Sequence, residues 1–179
     1  DNYLAGVLCA QEMMKQVKEG RIVIIGNDIQ TSVRNRVQGF LDTIEGQDRY
    51  EVIYAENGSG EFEVSAKVMA DFLKQGIEFD VVLGGNDPMA LGVLAALQQQ
   101  HQEKGVQIYG IDGSPDFKEM LEYGYVSGTS AQSPWTIGKV AAETAYDYLN
   151  GLEVEPYISI EPYMITQENL ENYEVGSWQ

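Results

Sequence analysis

The chain contains one cysteine and one histidine among its 179 residues. A structural zinc site needs about four such ligands, so this composition excludes one. One cysteine cannot form an internal disulfide, and we expect Cys9, which lies in the apolar stretch 4–10, to be a buried thiol. His101 belongs to a polar run and is interpreted as part of a solvated helix surface rather than as a catalytic base. No metal ion or other cofactor is expected.

Basic residues are also scarce. Eleven Lys and Arg residues against 28 Asp and Glu residues give a formal net charge of -17. Such a charge repels nucleic acids and anionic membrane surfaces, so neither is expected as a partner. No apolar run reaches the roughly 18–20 residues of a membrane-spanning helix. The chain starts at Asp1 without a methionine, and we interpret it as a processed or incomplete chain in which a missing targeting signal carries little weight.

The common motifs of phosphate binding and nucleophilic catalysis are missing. After the first predicted strand, the sequence GNDIQ at 26–30 replaces the Gly-x-Gly-x-x-Gly of dinucleotide-binding folds. There is no P-loop and no Gly-x-Ser-x-Gly nucleophile elbow. Carboxylates at Asp28, Asp87 and Asp112 leave acid–base catalysis as an alternative, although Asp87 is interpreted as a helix N-cap. We favour a chain that is not an enzyme.

What the chain does contain is a regular alternation of strand-like and helix-like segments. This alternation predicts an α/β fold with a doubly wound, mostly parallel sheet and helices on both faces. The predicted strands are 21–26, 50–55, 79–85, 106–111, 126–131 and 157–165. The predicted helices are 4–18, 31–44, 61–75, 87–102, 114–123 and 133–149.

Polar side chains follow the first five predicted strands. Because ligands of such sheets bind outside the carboxyl ends of the strands, this edge is the predicted binding site. Amide and carboxylate groups with a nearby arginine suit a ligand that is rich in hydroxyl groups. A buried site of this kind rejects ligands that would leave its polar groups unpaired.

Five segments in chain order resemble the type I periplasmic sugar-binding proteins, the ribose- and galactose-binding-like solute-binding components of ABC importers. The segments are DNYLAG at 1–6, RNRVQGF at 34–40, GGNDPMALG at 84–92, GIDGSPD at 110–116 and SGTSAQSP at 127–134. The resemblance implies capture of a monosaccharide or related polyol between two lobes, without catalysis. It also implies an extracytoplasmic location, either in the periplasm or lipid-anchored on the outer face of the cell membrane, and a transporter permease as partner.

By motif match, the resemblance implies that Arg34, Asn86, Asp112 and Gln132 contact the sugar. Asp28 and Gln30 are secondary candidates, since some relatives place further polar contacts there.

The resemblance also raises the question of an aromatic platform. Relatives carry an aromatic residue for stacking where this chain has Gly60. Either Phe62, two residues later, takes this role, or the platform is missing. Trp135 is interpreted as a packing residue.

The same resemblance divides the chain. Residues 1–132 correspond to the C-terminal lobe, 133–158 to a helix and strand that pack in the N-terminal lobe, and 159–179 to a return strand and tail. We expect the N-terminal lobe to be absent, so that the helix 134–149 needs that lobe or a second copy as its partner. The alternative function is the effector-binding domain of a sugar-responsive LacI-type repressor, although the segments 110–116 and 127–134 follow the transport pattern.

Overall fold

The computed structural model describes residues 1–178, which form one six-stranded sheet in the order β2-β1-β3-β4-β5-β6. The strands β1 to β5 are parallel, and β6 pairs antiparallel with β5. The predicted doubly wound, mostly parallel sheet is therefore confirmed. The strands are β1 Gly20–Gly26, β2 Tyr50–Asn57, β3 Val81–Gly84, β4 Gln107–Asp112, β5 Gly128–Ala131 and β6 Tyr163–Thr166.

Six helices follow or precede these strands. They are α1 Asn2–Gln16, α2 Thr31–Ile44, α3 Phe62–Leu73, α4 Asp87–Gln99, α5 Pro115–Glu122 and α6 Pro134–Leu149, and a short 3₁₀ turn lies at Leu170–Asn172. Helices α1 and α2 cover one face of the sheet, while α3, α4 and α5 cover the other. No helix within residues 1–178 is both long and apolar enough to cross a membrane.

The central strand β1 is apolar because both of its faces are covered. Ile22 and Ile24 point into the core under α1 and α2, whereas Val23 and Ile25 point into the core under α3 and α4. All four side chains are buried. This is the pattern of a strand enclosed between two helical layers.

The end of the chain differs from the sequence prediction. A last strand was expected over 157–165, but regular strand geometry begins only at Tyr163. Residues 152–162 form no strand, and Tyr157 is exposed. A strand needs a neighbouring backbone to bond with, and β5 offers its edge only to the four residues of β6.

Helix α6 stands apart from both layers. Its boundaries agree with the sequence prediction, yet none of its sixteen residues is buried. Its apolar residues line an open groove of about 470 Å³ together with residues 154–160. The helix is thus formed but largely uncovered within the described part of the chain.

Helices α1 and α2 approach each other unusually closely. A Cβ atom added to Gly6 would overlap the backbone carbonyl oxygen of Arg36, and one added to Gly39 would overlap that of Tyr3. The two glycines therefore let the helix backbones touch, and this contact sets the height of Arg36 above the sheet.

We predict that Gly6→Ala lowers the free energy of unfolding by about 1–3 kcal/mol, because the added methyl group meets rigid backbone. Gly138→Ala in α6 is the matched control, since no described atom lies within 4 Å of the added Cβ. The control should stabilise the chain slightly, because alanine favours helices. Urea unfolding measures both, and an equal response of the two variants would contradict the close helix contact.

Candidate binding site at the carboxyl ends of the strands

The guanidinium group of Arg36 organises this edge of the sheet. Arg36 lies on α2 and is 7% exposed. Its Nε donates to Asn2 Oδ1 at 3.0 Å, and its Nη1 donates to the carbonyl oxygen of Gly85 at 2.9 Å. Nη1 also forms an ion pair with Asp112 Oδ1 at 3.2 Å, while Nη2 donates to Gln132 Oε1 at 2.5 Å. One side chain thus joins α1, α2 and the ends of β3, β4 and β5.

Asp112 ends β4 with its carboxylate partly open to the exterior. Its side chain is 26% exposed, and its backbone has a φ of 143°. Residues other than glycine adopt such a φ at a cost of about 1–3 kcal/mol, and this strain is concentrated at functional sites. Burial raises the pKa of the Asp112 carboxyl, and the positive charge of Arg36 opposes this effect. The residue is therefore a hydrogen-bond acceptor held in a defined direction.

Asp87 supports the turn that carries Asp112. Asp87 is fully buried, and its Oδ2 accepts from the backbone N–H of Ser114 at 2.7 Å. Its Oδ1 accepts from the hydroxyl of Thr129 at 2.8 Å, and that hydroxyl oxygen accepts from the N–H of Gly113 at 3.1 Å. Asp87 thereby ties the start of α4 to the β4–α5 turn and to β5.

The interpretation of Asp87 as a helix N-cap is wrong. The residue that caps α4 is Asn86, whose Oδ1 accepts from the N–H of Met89 at 2.9 Å. Asp87 is the first residue inside the helix, so its side chain points into the protein rather than back along the chain.

Side-chain amides surround Gly60 next to this cap. Asn86 Nδ2 donates to the Gly60 carbonyl oxygen at 3.1 Å. Gly60 has a φ of +80°, and a Cβ added there would lie 3.6–3.7 Å from the amide ends of Gln30, Asn27 and Asn86. Asn27 is buried, and its Oδ1 accepts from the backbone of the β1–α2 loop. Phe62 begins α3 nearby with 40% of its surface exposed.

Arg34 lies outside the Arg36 cluster. It is exposed, and its Nη1 donates to the carbonyl oxygens of Asp28 at 2.7 Å and Ile29 at 3.1 Å, while Nη2 donates to Thr31 Oγ1 at 2.9 Å. Arg34 and Asp28 line a hollow of about 340 Å³ beside the ends of β1 and β2.

The predicted site residues therefore fall into three neighbouring groups. Asp112 and Gln132 meet through Arg36, Asn86 and Gln30 meet around Gly60, and Arg34 lies with Asp28. Their direct role in ligand binding stays a prediction.

The sequence prediction did not identify Arg36, although a signal was available. Arg36 follows Val33 by three residues and precedes Phe40 by four, and both of these are buried. Residues at this spacing share one helix face, so Arg36 had to lie on the buried side of α2. Asn2, which binds both Arg36 and Gln132, carried no comparable signal.

Among residues 1–178, no cluster of three or more His, Cys, Asp and Glu side chains is arranged to hold a metal ion. The chemistry on offer at this edge is hydrogen bonding by amides, carboxylates and guanidinium groups.

Comparison with known proteins identifies the family. A family model described as "Periplasmic binding protein domain" matches residues 1–153. The chain belongs to this family. It is 28% identical over 170 residues to the ribose import binding protein of Escherichia coli (strain K12), a match that covers 94% of this chain and 57% of that protein. It is 28% identical over 153 residues to the D-ribose/D-allose-binding protein of Pseudomonas aeruginosa, covering 84% of this chain and 48% of that protein.

Solved structures agree with the fold of this periplasmic binding protein chain. An ABC transporter solute binding protein from Bacillus halodurans, solved with bound myo-inositol, superposes with a TM-score of 0.93 at 28% identity and covers 99% of this chain. The myo-inositol binding protein of Caulobacter, also bound to myo-inositol, gives a TM-score of 0.91 at 25% identity and covers 98% of this chain. The chain spans 62% of the length of each.

These matches confirm the predicted resemblance to type I periplasmic sugar-binding proteins. The similar proteins are named for binding and import of sugars or inositol rather than for catalysis. They give no support to the alternative of a repressor's effector-binding domain.

We predict that Arg36→Ala lowers the free energy of unfolding by about 3 kcal/mol or more, because Asp112 loses its cation while it stays largely enclosed. Arg34→Ala is the matched control and should cost less than about 1 kcal/mol, since Arg34 is exposed. Urea unfolding of both variants measures the difference. A smaller effect for Arg36→Ala than for Arg34→Ala would refute the assignment of Arg36 as the organising residue.

A second prediction concerns pH. Burial, together with the negative charge of Asp112, raises the pKa of Asp87 to about 7 from its ordinary 3.8. Between these values the folded chain keeps a proton that the unfolded chain releases. The contribution of Asp87 to stability is therefore complete below about pH 4 and falls until pH reaches about 7. In Asp87→Asn this fall should be absent, which urea unfolding at a series of pH values between 4 and 8 measures.

Asp71→Asn provides the control for this pH series. A hydrogen bond from Lys74 lowers the pKa of Asp71, which is exposed. The lowered pKa of Asp71 acts below about pH 4, so its removal should leave the shape of the stability curve between pH 4 and 8 nearly unchanged. If stability depended on pH in the same way in Asp87→Asn and Asp71→Asn, protonation of Asp87 would not be the cause of the fall in stability between pH 4 and 7.

Proposed function

We propose that this chain is the ligand-binding part of a solute-binding component of an ABC importer, and that it captures a monosaccharide or related polyol without catalysis. The observation that carries the proposal is the fixed pair of Asp112 and Gln132, which Arg36 holds at the carboxyl ends of β4 and β5. This is the edge at which open α/β sheets bind their ligands.

The chemistry of the edge supports a neutral ligand with many hydroxyl groups. Asp112 accepts hydrogen bonds, and the side-chain amides of Gln132 and Asn86 both donate and accept. Arg34 is exposed and offers a planar fork of donors. We assign the sugar contacts to Arg34, Asn86, Asp112 and Gln132, with Asp28, Gln30 and Phe62 in secondary roles. Arg36 is only 7% exposed, so it positions these groups rather than binding the ligand.

The relatives support the same ligand class. Proteins similar to this chain are named for ribose, allose or myo-inositol. These compounds share a small ring with hydroxyl groups around it. A site built from oriented acceptors and amides favours such rings over ligands that lack hydroxyl groups, because the latter would leave its polar atoms unpaired.

We further propose that residues 1–132 form one of two lobes that close on the ligand. Residues 133–158 would pack against the other lobe, and 159–179 would return to the first. The uncovered apolar groove beside α6 supports this arrangement, because an amphipathic helix is normally stabilised by burial of its apolar face. A second copy of the chain is the competing occupant of that groove.

The proposed partners and location follow from the same family role. The loaded protein would deliver its sugar to a membrane permease. Its location would be extracytoplasmic, either free in the periplasm or held on the outer face of the cell membrane by a lipid anchor.

We predict that Asp112→Asn weakens the binding of the preferred sugar at least tenfold, which corresponds to about 1.4 kcal/mol, because the ligand hydroxyls lose a charged acceptor. Isothermal titration calorimetry with D-ribose, D-allose and myo-inositol measures this loss. The control is Asp116→Asn, an exposed carboxylate on α5. Wild-type affinity in Asp112→Asn would contradict the proposed site, and the absence of monosaccharide or polyol binding by the protein that carries both lobes would contradict the proposed function.

A further inference from the structure

Both tryptophans of the chain line the same hollow. The sequence contains two, Trp135 and Trp178, which lie 43 positions apart and belong to different segments. They enclose a space of about 440 Å³ together with Asp112 and Gln132. Trp135 is 67% exposed and Trp178 is 48% exposed. Two large indole rings that face solvent at one place, beside a carboxylate, are an unusual surface.

The first indole is placed by the start of α6. Ser133 caps this helix, with its Oγ accepting from the N–H of Thr136 at 3.2 Å. Pro134 follows in the first turn, where its missing N–H leaves no bond unmade. Trp135 therefore sits on a fixed turn only three residues after Gln132.

The second indole is placed by the tail of the chain. Lys118 on α5 is fully buried, and its Nζ donates to the carbonyl oxygens of Glu174 at 2.7 Å and Ser177 at 2.5 Å. The ring of Tyr173 stacks on that of Tyr163 in β6 at a centroid distance of 5.4 Å. These contacts hold the tail against α5 and β6, and Trp178 lies at the hollow.

We infer that Trp135 and Trp178 are ligand-contacting residues whose indole faces bind the apolar face of the sugar ring. The inference rests on the proposed function and extends the site beyond its polar residues. It replaces the interpretation of Trp135 as a packing residue. The aromatic surface then lies next to the end of β5, whereas Gly60, where relatives carry their aromatic residue, follows β2 on the other side of the sheet edge.

The composition of the hollow fits such a ligand. A sugar ring presents C–H groups on its faces and hydroxyl groups around its rim. Indole rings provide a large, rigid contact area for the faces. Asp112 and Gln132 at the same hollow provide acceptors and donors for the rim. Apolar walls with a few oriented polar groups are the usual make-up of a small-molecule site.

The charge of Asp112 also argues for a hydroxylated occupant. Its carboxylate is 26% exposed at the hollow. An apolar protein surface placed over the two indoles would bury this charge without a new donor, which is unfavourable. A sugar can cover the indole rings with its C–H groups while one of its hydroxyl groups donates to the carboxylate. The carboxylate then keeps a hydrogen-bond donor when the indoles are covered.

Tryptophan fluorescence tests the inference directly, because the 179-residue chain has no tryptophan outside the hollow. In the ligand-free chain, acrylamide should quench the emission efficiently. Whichever of D-ribose, D-allose and myo-inositol binds by calorimetry should shift the emission and protect it from quenching. Emission that is already protected without ligand would mean that protein covers the indoles, and would overturn the inference.

Variants separate this inference from the proposed function. Trp135→Ala and Trp178→Ala should each weaken binding at least tenfold, whereas the phenylalanine replacements should restore most of the affinity by keeping an aromatic face. Tyr123→Ala is the control, since Tyr123 is 61% exposed at the opposite edge of the sheet. If both alanine variants bind like wild type while Asp112→Asn does not, the role of the tryptophans is refuted and the proposed function stands. If the protein that carries both lobes binds no monosaccharide or polyol, both fail.

Discussion

The buried guanidinium of Arg36 is the interaction on which the rest of this edge depends. A buried cation is tolerated only when it is paired and hydrogen-bonded, and Arg36 meets that condition with four groups, from α1 and from the ends of β3, β4 and β5. Its position in turn requires α1 and α2 to touch through Gly6 and Gly39. Helix packing on one face of the sheet thereby decides the direction of the carboxylate and amide at the ends of β4 and β5.

Charge balance around Arg36 explains why the edge suits a neutral ligand. Asp112 pairs with Arg36, whereas the buried carboxyl of Asp87 accepts from neutral donors, the N–H of Ser114 and the hydroxyl of Thr129. Burial and the negative charge of Asp112 both disfavour ionisation of Asp87 and raise its pKa. Asp112 stays bonded to Arg36 and is the group that faces outwards. A ligand with hydroxyl groups can pair with it without bringing a charge of its own.

Two segments after β5 behave in opposite ways. The tail is drawn back to the sheet because the buried ammonium of Lys118 needs acceptors and finds them in the carbonyl oxygens of Glu174 and Ser177. Helix α6 has no buried residue within residues 1–178 and keeps its apolar side chains largely uncovered. At the carboxyl edge of the sheet, the tail therefore packs against the protein whereas α6 is exposed. The hollow contains one tryptophan from each segment, Trp178 from the tail and Trp135 from α6.

The sequence by itself determined the alternation of strands and helices and the family, since hydrophobic periodicity and motif order are local properties that survive without a view of the packing. It also determined that polar residues after parallel strands gather at one edge. Tertiary structure decided which of these side chains are buried and which partners they have, because local spacing does not determine contacts between elements. Arg34 and Arg36 stand in one motif, and contact between helices selects which of them is enclosed. Asn86 and Asp87 are neighbours, and the start of α4 makes the first a cap and turns the second inward. The strand expected from residue 157 shortened to Tyr163–Thr166, because a strand forms only where another backbone is present to bond with it.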